Sequence, residues 1–172
     1  MKKIVITGPE SSGKSTLALE LSDALHGWYV SEAAREYLDG LERPYEEPDL
    51  LAIAREQLEL EDQLAEEFQE EGLMVCDTDL ITIRIWSEEK YGRCDPWIVE
   101  QTERRHYDHW LLCKPDMPWA PDPQRENPYD RDRLFVKYEA MLRYLEKPYT
   151  VVDGGRRQRL LAAVETCGRL LR

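Results

Sequence analysis

Five short runs of β-branched and other apolar residues recur along the chain: KIVIT at 3–7, WYVS at 28–31, LMVCD at 73–77, HWLLC at 109–113 and YTVVD at 149–153. Longer stretches with helical spacing of their apolar positions lie between them. Near-continuous apolar strands that alternate with helices belong to parallel sheets covered on both faces, joined by right-handed crossovers. The pattern therefore predicts an α/β protein of three layers built on five parallel strands.

The helices have legible ends. One runs from Lys14 to Leu25, starting inside a glycine loop, and a second follows Ser31, a serviceable N-cap, through EAAREYL. A long helix spans Asp49 to Glu71 and is closed by Gly72. Leu50, Ile53, Ala54, Leu58, Leu60, Leu64 and Phe68 share one half of its wheel, and Glu56, Glu59, Gln63 and Glu66 the other. Gln57 and Glu61 interrupt the apolar half, where a polar group must find a partner: a substrate cleft or a neighbouring helix. Further helices cover LITIRIWSEEKY, PWIVEQTERR, RLFVKYEAMLRYLE and Arg156 to Leu171. Lys114 to Asp130 has five prolines and no period, and a loop of that length in a compact domain is usually functional. It reads as a lid extending to about residue 133.

At 172 residues the chain is expected to form a single domain, 1–172, with a full core. Its net charge of −12 disfavours nucleic acid and anionic lipid and suits a small ligand held by local groups. The apolar run behind MKK is too short for a signal peptide and no stretch is long enough to span a bilayer, so a cytoplasmic protein is expected. Cys76, Cys94, Cys113 and Cys167 are scattered without a C-x-x-C pair, the pattern of reduced thiols. His106, His109 and Cys113 lack a fourth ligand, and HWLLC, which carries the last two, reads as a buried strand, so core packing is favoured over metal. Homo-oligomerisation is left open.

The chemistry concentrates at the first strand's end. GPESSGKS, Gly8 to Ser15, fits G-x-x-x-x-G-K-[ST] and sits between a strand and a helix, the context that motif requires. Its glycines let successive amides converge on an anion at the positive helix end, Lys14 reaches the β and γ phosphates, and Ser15 ligates Mg²⁺. Gly8, Glu10, Ser11, Ser12, Gly13, Lys14, Ser15 and Thr16 are thus the expected ATP-binding residues. Asp77 ends the third strand where a Walker B carboxylate holds the metal. Asp79 either shares that work, binds substrate or caps the next helix. Glu32, beyond the second strand, is the candidate base for an attacking hydroxyl, with Arg35 one turn later to steady charge; the alternative is a surface ion pair. Arg125, Arg131 and Arg133 in or beside the lid either meet the transferring phosphoryl group or pair with Asp122, Glu126, Asp130 and Asp132. Trp119 either stacks on a substrate ring or anchors the loop.

Taken together, GPESSGKST, SEAAREY, the glutamine of AREQLELE, CDTDLIT and PWAPDPQRENPYDRDRLFVKYEAML resemble the nicotinamide riboside kinase domain of NadR-type proteins and their stand-alone relatives, a P-loop, AAA-like ATP-binding group. The resemblance covers nearly the whole chain, and with it goes a P-loop kinase fold whose five parallel strands run in the order 2-3-1-4-5. It implies ATP- and Mg²⁺-dependent phosphorylation of a ribonucleoside 5′-hydroxyl, yielding nicotinamide mononucleotide for NAD salvage. By position it puts Lys14, Ser15 and Thr16 at ATP and Mg²⁺, Asp77 and Asp79 at the metal or ribose, and Arg125 and Arg131 in the lid. None of the three histidines lies in the H-x-G-H motif of the adenylyltransferase domain that NadR proteins also carry. A regulatory P-loop ATPase, or a kinase for another nucleoside or nucleotide, is the alternative.

Overall fold

In a computed structural model, which describes residues 1–68, 72–126 and 129–171, the strands are β1 (Lys2–Thr7), β2 (Trp28–Val30), β3 (Leu73–Asp77), β4 (His109–Cys113) and β5 (Tyr149–Val152). They form one sheet in the order β2-β3-β1-β4-β5, all pairs parallel, the order expected with the P-loop kinase fold. The helices are α1 (Lys14–Ala24), α2 (Ala33–Asp39), α3 (Glu47–Glu67), α4 (Leu80–Tyr91), α5 (Pro96–Arg104), α6 (Arg131–Tyr144) and α7 (Arg156–Leu170).

Strand alternation divides the core. Ile4, Ile6, Leu73, Val75, Leu111 and Cys113 face one way and pack on Leu17, Leu21, Ala163 and Cys167 of α1 and α7. Val5, Met74, Cys76, Trp110 and Leu112 face the other way, against Ala65, Ile81, Tyr138 and Leu142 of α3, α4 and α6. A third cluster joins α2 to α5 away from the sheet through Ala34, Leu50, Ile53, Leu58, Ile83 and Ile98. The first half of α3 thus serves this outlying cluster and its last turns serve the sheet.

That division explains the two polar residues on the apolar half of α3. Gln57 Oε1 accepts the Ala33 amide at 3.0 Å, fixing the start of α2. Glu61 accepts the Tyr107 hydroxyl at 2.9 Å and Arg105 Nη2 at 3.2 Å. Glu61 is held by protein groups and Gln57 only in part, its Nε2 being buried without a partner among the described residues.

Several element ends depart from expectation. α3 starts at Glu47, two residues early, because Glu46 and Asp49 form a reciprocal capping box with proline in the first turn. It ends at Glu67 with Phe68 as C-cap, Phe68 stacking on Trp28; residues 69–71 of the expected helix lie outside the described residues. The N-cap of α2 is Glu32 rather than Ser31. α6 begins at Arg131, so the expected lid boundary at 133 moves back and Arg131 and Arg133 stand on a helix. Among the described residues no helix is long and apolar enough to cross a membrane.

Candidate active site

The loop between β1 and α1 is shaped by what its backbone must avoid. Gly8 has φ 135°, and a Cβ there would lie 2.6 Å from the Cys113 carbonyl oxygen on β4, so only glycine lets the loop leave the sheet at this point. Gly13 is the α1 N-cap at φ 80°, and a Cβ there would press on the Met117 sulfur at 2.9 Å. Within the loop, Ser12 Oγ donates to the Pro9 carbonyl at 2.6 Å and Lys14 Nζ to the same oxygen at 2.9 Å. α1 has no acidic residue in its first turn, so its own first turn sets no charge against an anion at its positive end.

Three carboxylates gather where β2 and β3 end. Asp77 is buried, accepts from the Tyr29 hydroxyl at 3.3 Å, and has the Ser15 hydroxyl close enough to favour its charged form. Its Oδ1 is buried without a full hydrogen bond, and desolvation raises its pKa. Thr78 follows at φ 75°, a strained conformation for a β-branched residue, held by its amide bond to the Ile6 carbonyl. Asp79 then stands at the N-cap of α4, wholly buried, with Oδ2 accepting the Trp110 indole N–H at 2.9 Å; burial pushes its pKa up to about 6. Glu32 is raised chiefly by burial, against the pull of Lys14 and Arg35.

The loop after β4 is tied down on both sides. The Ala120 amide donates to Ser11 Oγ and the Glu126 amide to Glu10 Oε2, each at 3.0 Å. Across the cleft, Asp122 pairs with Arg35 at 3.1 Å and Gln124 donates to Asp39 at 2.6 Å. Arg125 reaches Ser11 Oγ at 3.5 Å and donates to the Ala120 carbonyl. Arg131 is occupied differently: it donates to the main-chain carbonyls of Ser11 at 3.0 Å and Met117 at 2.9 Å. Arg133 pairs with Glu89 and Asp130 on the surface. Trp119 lies against the guanidinium groups of Arg125 and Arg131, 5.9 and 5.7 Å from its ring centre, which is the anchoring alternative.

A cavity of about 520 Å³ runs from the loop toward α2 and α4. It brings together Glu10, Ser11, Ser12, Gly13, Lys14, Ser15, Thr16, Glu32, Arg35 and Arg125. Gly8, Gln57, Asp77, Asp79, Trp119 and Arg131 are not in its lining, Gly8 following β1 and Asp77 ending β3. The far wall was not foreseen: Leu38, Ile85, Trp86, Leu134 and Tyr138 supply apolar surface, and Lys90, paired with Glu126 at 3.1 Å, closes the rim. Arg159 was also missed. It is 2% exposed and bonds to the phosphate-loop carbonyl of Ser12, yet in the sequence it is one of three arginines in RRQR. Core packing holds for Cys113, buried beneath Gly8, whereas His109 is half-buried and shares a 2.9 Å hydrogen bond with Thr150, and His106 is exposed.

A glycine-lysine loop opening α1, a central β1 flanked by β3 and β4, and carboxylates at the strand ends define a P-loop α/β protein. More particularly, the chain belongs to the AAA domain family, whose profile matches residues 3–159. It is similar to the trifunctional NAD biosynthesis/regulator protein NadR of Salmonella typhimurium, 25% identical over 131 residues, covering 73% of this chain and 31% of that protein, and equally to NadR of Escherichia coli. The chain therefore spans about a third of the length of these curated relatives. Among solved structures it resembles NadR in complex with NR (TM-score 0.81, 20% identity) and NadR in complex with NAD and AMP-PNP (0.79, 19%), covering 98% of this chain and 51% and 49% of those. Deoxyadenosine kinase from M. mycoides, with dCMP and dCDP bound, shares the fold at a TM-score of 0.58 and 15% identity over 98% of both chains.

Proposed function

We propose that the protein is an ATP-dependent kinase that phosphorylates the 5′-hydroxyl of a nucleoside, with nicotinamide riboside as the acceptor, in the cytoplasm. The observation that carries this reading is the continuity of the cavity. The phosphate loop forms one end, an aromatic and aliphatic chamber the other, and the Glu32 carboxylate stands between them beside Lys14. Hydrolysis needs only a water at the γ-phosphate, whereas a chamber walled by Leu38, Trp86 and Tyr138 suits a ring-bearing acceptor. Desolvation makes Glu32 more basic than an ordinary carboxylate, which favours proton acceptance from a hydroxyl. In this reading Lys14 and Arg125 meet charge on the phosphate oxygens and Arg35 holds the acceptor side.

Mg²⁺ fits the donor set. It keeps most of its coordination for water and phosphate and takes one or two protein ligands. The Ser15 hydroxyl and the incompletely bonded Asp77 carboxylate are the residues that would hold it. When bound, Mg²⁺ neutralises charge on the β and γ phosphates. The similarity to the NadR structure with NR supports the choice of acceptor, and the deoxyadenosine kinase likeness makes a deoxynucleoside the second candidate.

The test is ATP consumption against a panel containing nicotinamide riboside, deoxyadenosine and the common ribonucleosides, with wild type and Glu32→Gln side by side. Glutamine keeps size and hydrogen-bonding shape but cannot take the proton. Acceptor phosphorylation should fall about 10²-fold or more while slow ATP hydrolysis persists. ATP turnover that no nucleoside stimulates would establish the ATPase alternative. A parallel fall of both rates would move Glu32 from the acceptor to the metal or the fold.

A further inference from the structure

We propose that Arg159 is a positioning residue for the phosphate-binding loop, aiming its amides from behind; this rests on the reading that the loop takes a triphosphate. Arg159 projects from the first turn of α7 and is buried beneath the loop. Its Nη1 donates to the Ser12 carbonyl at 2.8 Å, Nη2 to the Lys114 carbonyl at 2.8 Å and to Asp116, and Nε to the Gly154 carbonyl at 2.8 Å. One planar fork thus ties together three loops at the carboxyl edge of the sheet, from positions 5 to 147 residues apart in the chain.

The consequence for phosphate follows from peptide geometry. In a trans peptide the C=O and N–H point in opposite directions. With the Ser12 carbonyl drawn toward Arg159, the Gly13 amide is turned away from it, to the side of the loop from which Lys14 and Ser15 line the cavity. Arg131 repeats the device one residue earlier: its bond to the Ser11 carbonyl turns the Ser12 amide the other way. Ser11 at φ 54° is a left-handed conformation that a non-glycine residue holds only under such external restraint. A lysine supplies the charge of Arg159 but not the rigid fork that spans three carbonyls at once.

The experiment uses the full chain with Arg159→Met and Arg159→Lys. Each is checked for folding by near-UV circular dichroism, then titrated with inorganic tripolyphosphate by calorimetry and assayed for the KM of ATP and of the acceptor. The expected result is that both folded variants bind tripolyphosphate about tenfold or more weakly and show a matching rise in KM for ATP. The acceptor KM should stay within about twofold, a split that general loss of structure would not produce. Should Arg159→Met fail to fold, Arg159→Lys alone carries the same expectation. Wild-type tripolyphosphate affinity in either folded variant, or an equal rise in both KM values, overturns the proposal. Failure of the wild-type protein to bind tripolyphosphate would instead remove the triphosphate reading on which it rests.

Discussion

Glu61 ties stability to pH through a charge that the core does not welcome. It is fully buried within α3, and although Tyr107 and Arg105 both donate to it, desolvation outweighs them and pushes its pKa from 4.5 up to about 7. Below the unfolded value both states carry the proton and the site costs nothing. As pH rises, the unfolded chain ionises first, so the folded state binds more protons and loses relative stability until it too ionises near 7. The loss from Glu61 amounts to roughly 2.5 kcal/mol between pH 5 and pH 8. Glu61→Gln, which still accepts from Tyr107, removes it. Urea unfolding of both proteins at the two pH values should show the variant gaining on wild type by about that amount at pH 8. Asp79, raised to about 6 by burial, adds a decline of the same sign that both proteins share. Glu89, held down at about 2 by Arg133 and Lys137, titrates below the window with the opposite sign. Parallel pH profiles would show that Glu61 keeps its unfolded pKa, and a variant that loses ground at pH 8 would make the Glu61–Arg105 pair a net stabiliser; either result refutes the reasoning from desolvation.

Lys14→Ala should lower phosphoryl transfer by about 10²–10³-fold with the far-UV spectrum and unfolding midpoint nearly unchanged, because the ammonium gives up only its bond to the Pro9 carbonyl; near-normal turnover in the folded variant would remove it from the phosphate. Arg125→Ala should lower kcat by about tenfold or more with less effect on KM for ATP, its contacts to Ser11 and Ala120 leaving the guanidinium at the loop; unchanged kcat and KM would make it a fastener of the lid and nothing more.

How far these sites were legible before the structure depends on whether the determining interaction is local. The phosphate loop was fully legible, because its spacing encodes its own backbone: Gly8 and Gly13 stand where a Cβ would meet Cys113 and Met117. The five strands were legible because buried parallel strands leave continuous apolar runs, whereas their order came with the P-loop motif and not from the runs themselves. The partners of Glu61 were not, since Arg105 and Tyr107 lie more than 40 residues away and reach it only once β4 is in place. Arg131 shows the same limit. Its position beside the lid suggested contact with substrate, but its bonds go to main-chain carbonyls of the phosphate loop, and no periodicity carries that information. The early start of α3 was a local signal misread, the glutamate and aspartate three apart around Pro48 being a cap.

The net charge of −12 and the proposed binding of a triphosphate are reconciled by how charge is distributed around the cavity. Its lining includes Glu10, Glu32, Glu89 and Glu126 against Lys14, Arg35, Lys90 and Arg125, so the local balance is even while the surface is acidic. Most of these cations already have anionic or carbonyl partners: Arg35 holds Asp122, Lys90 holds Glu126, and Lys14 holds the Pro9 carbonyl. Binding a phosphate chain is then an exchange of partners rather than the filling of a positive hole, and the uncompensated attraction falls to the loop amides and the α1 dipole. Amides attract in proportion to their alignment. An acidic protein of this kind depends on the buried restraints behind the loop as much as on the lysine within it, and that places Arg159, which never faces the cavity, among the residues that determine whether a triphosphate is held.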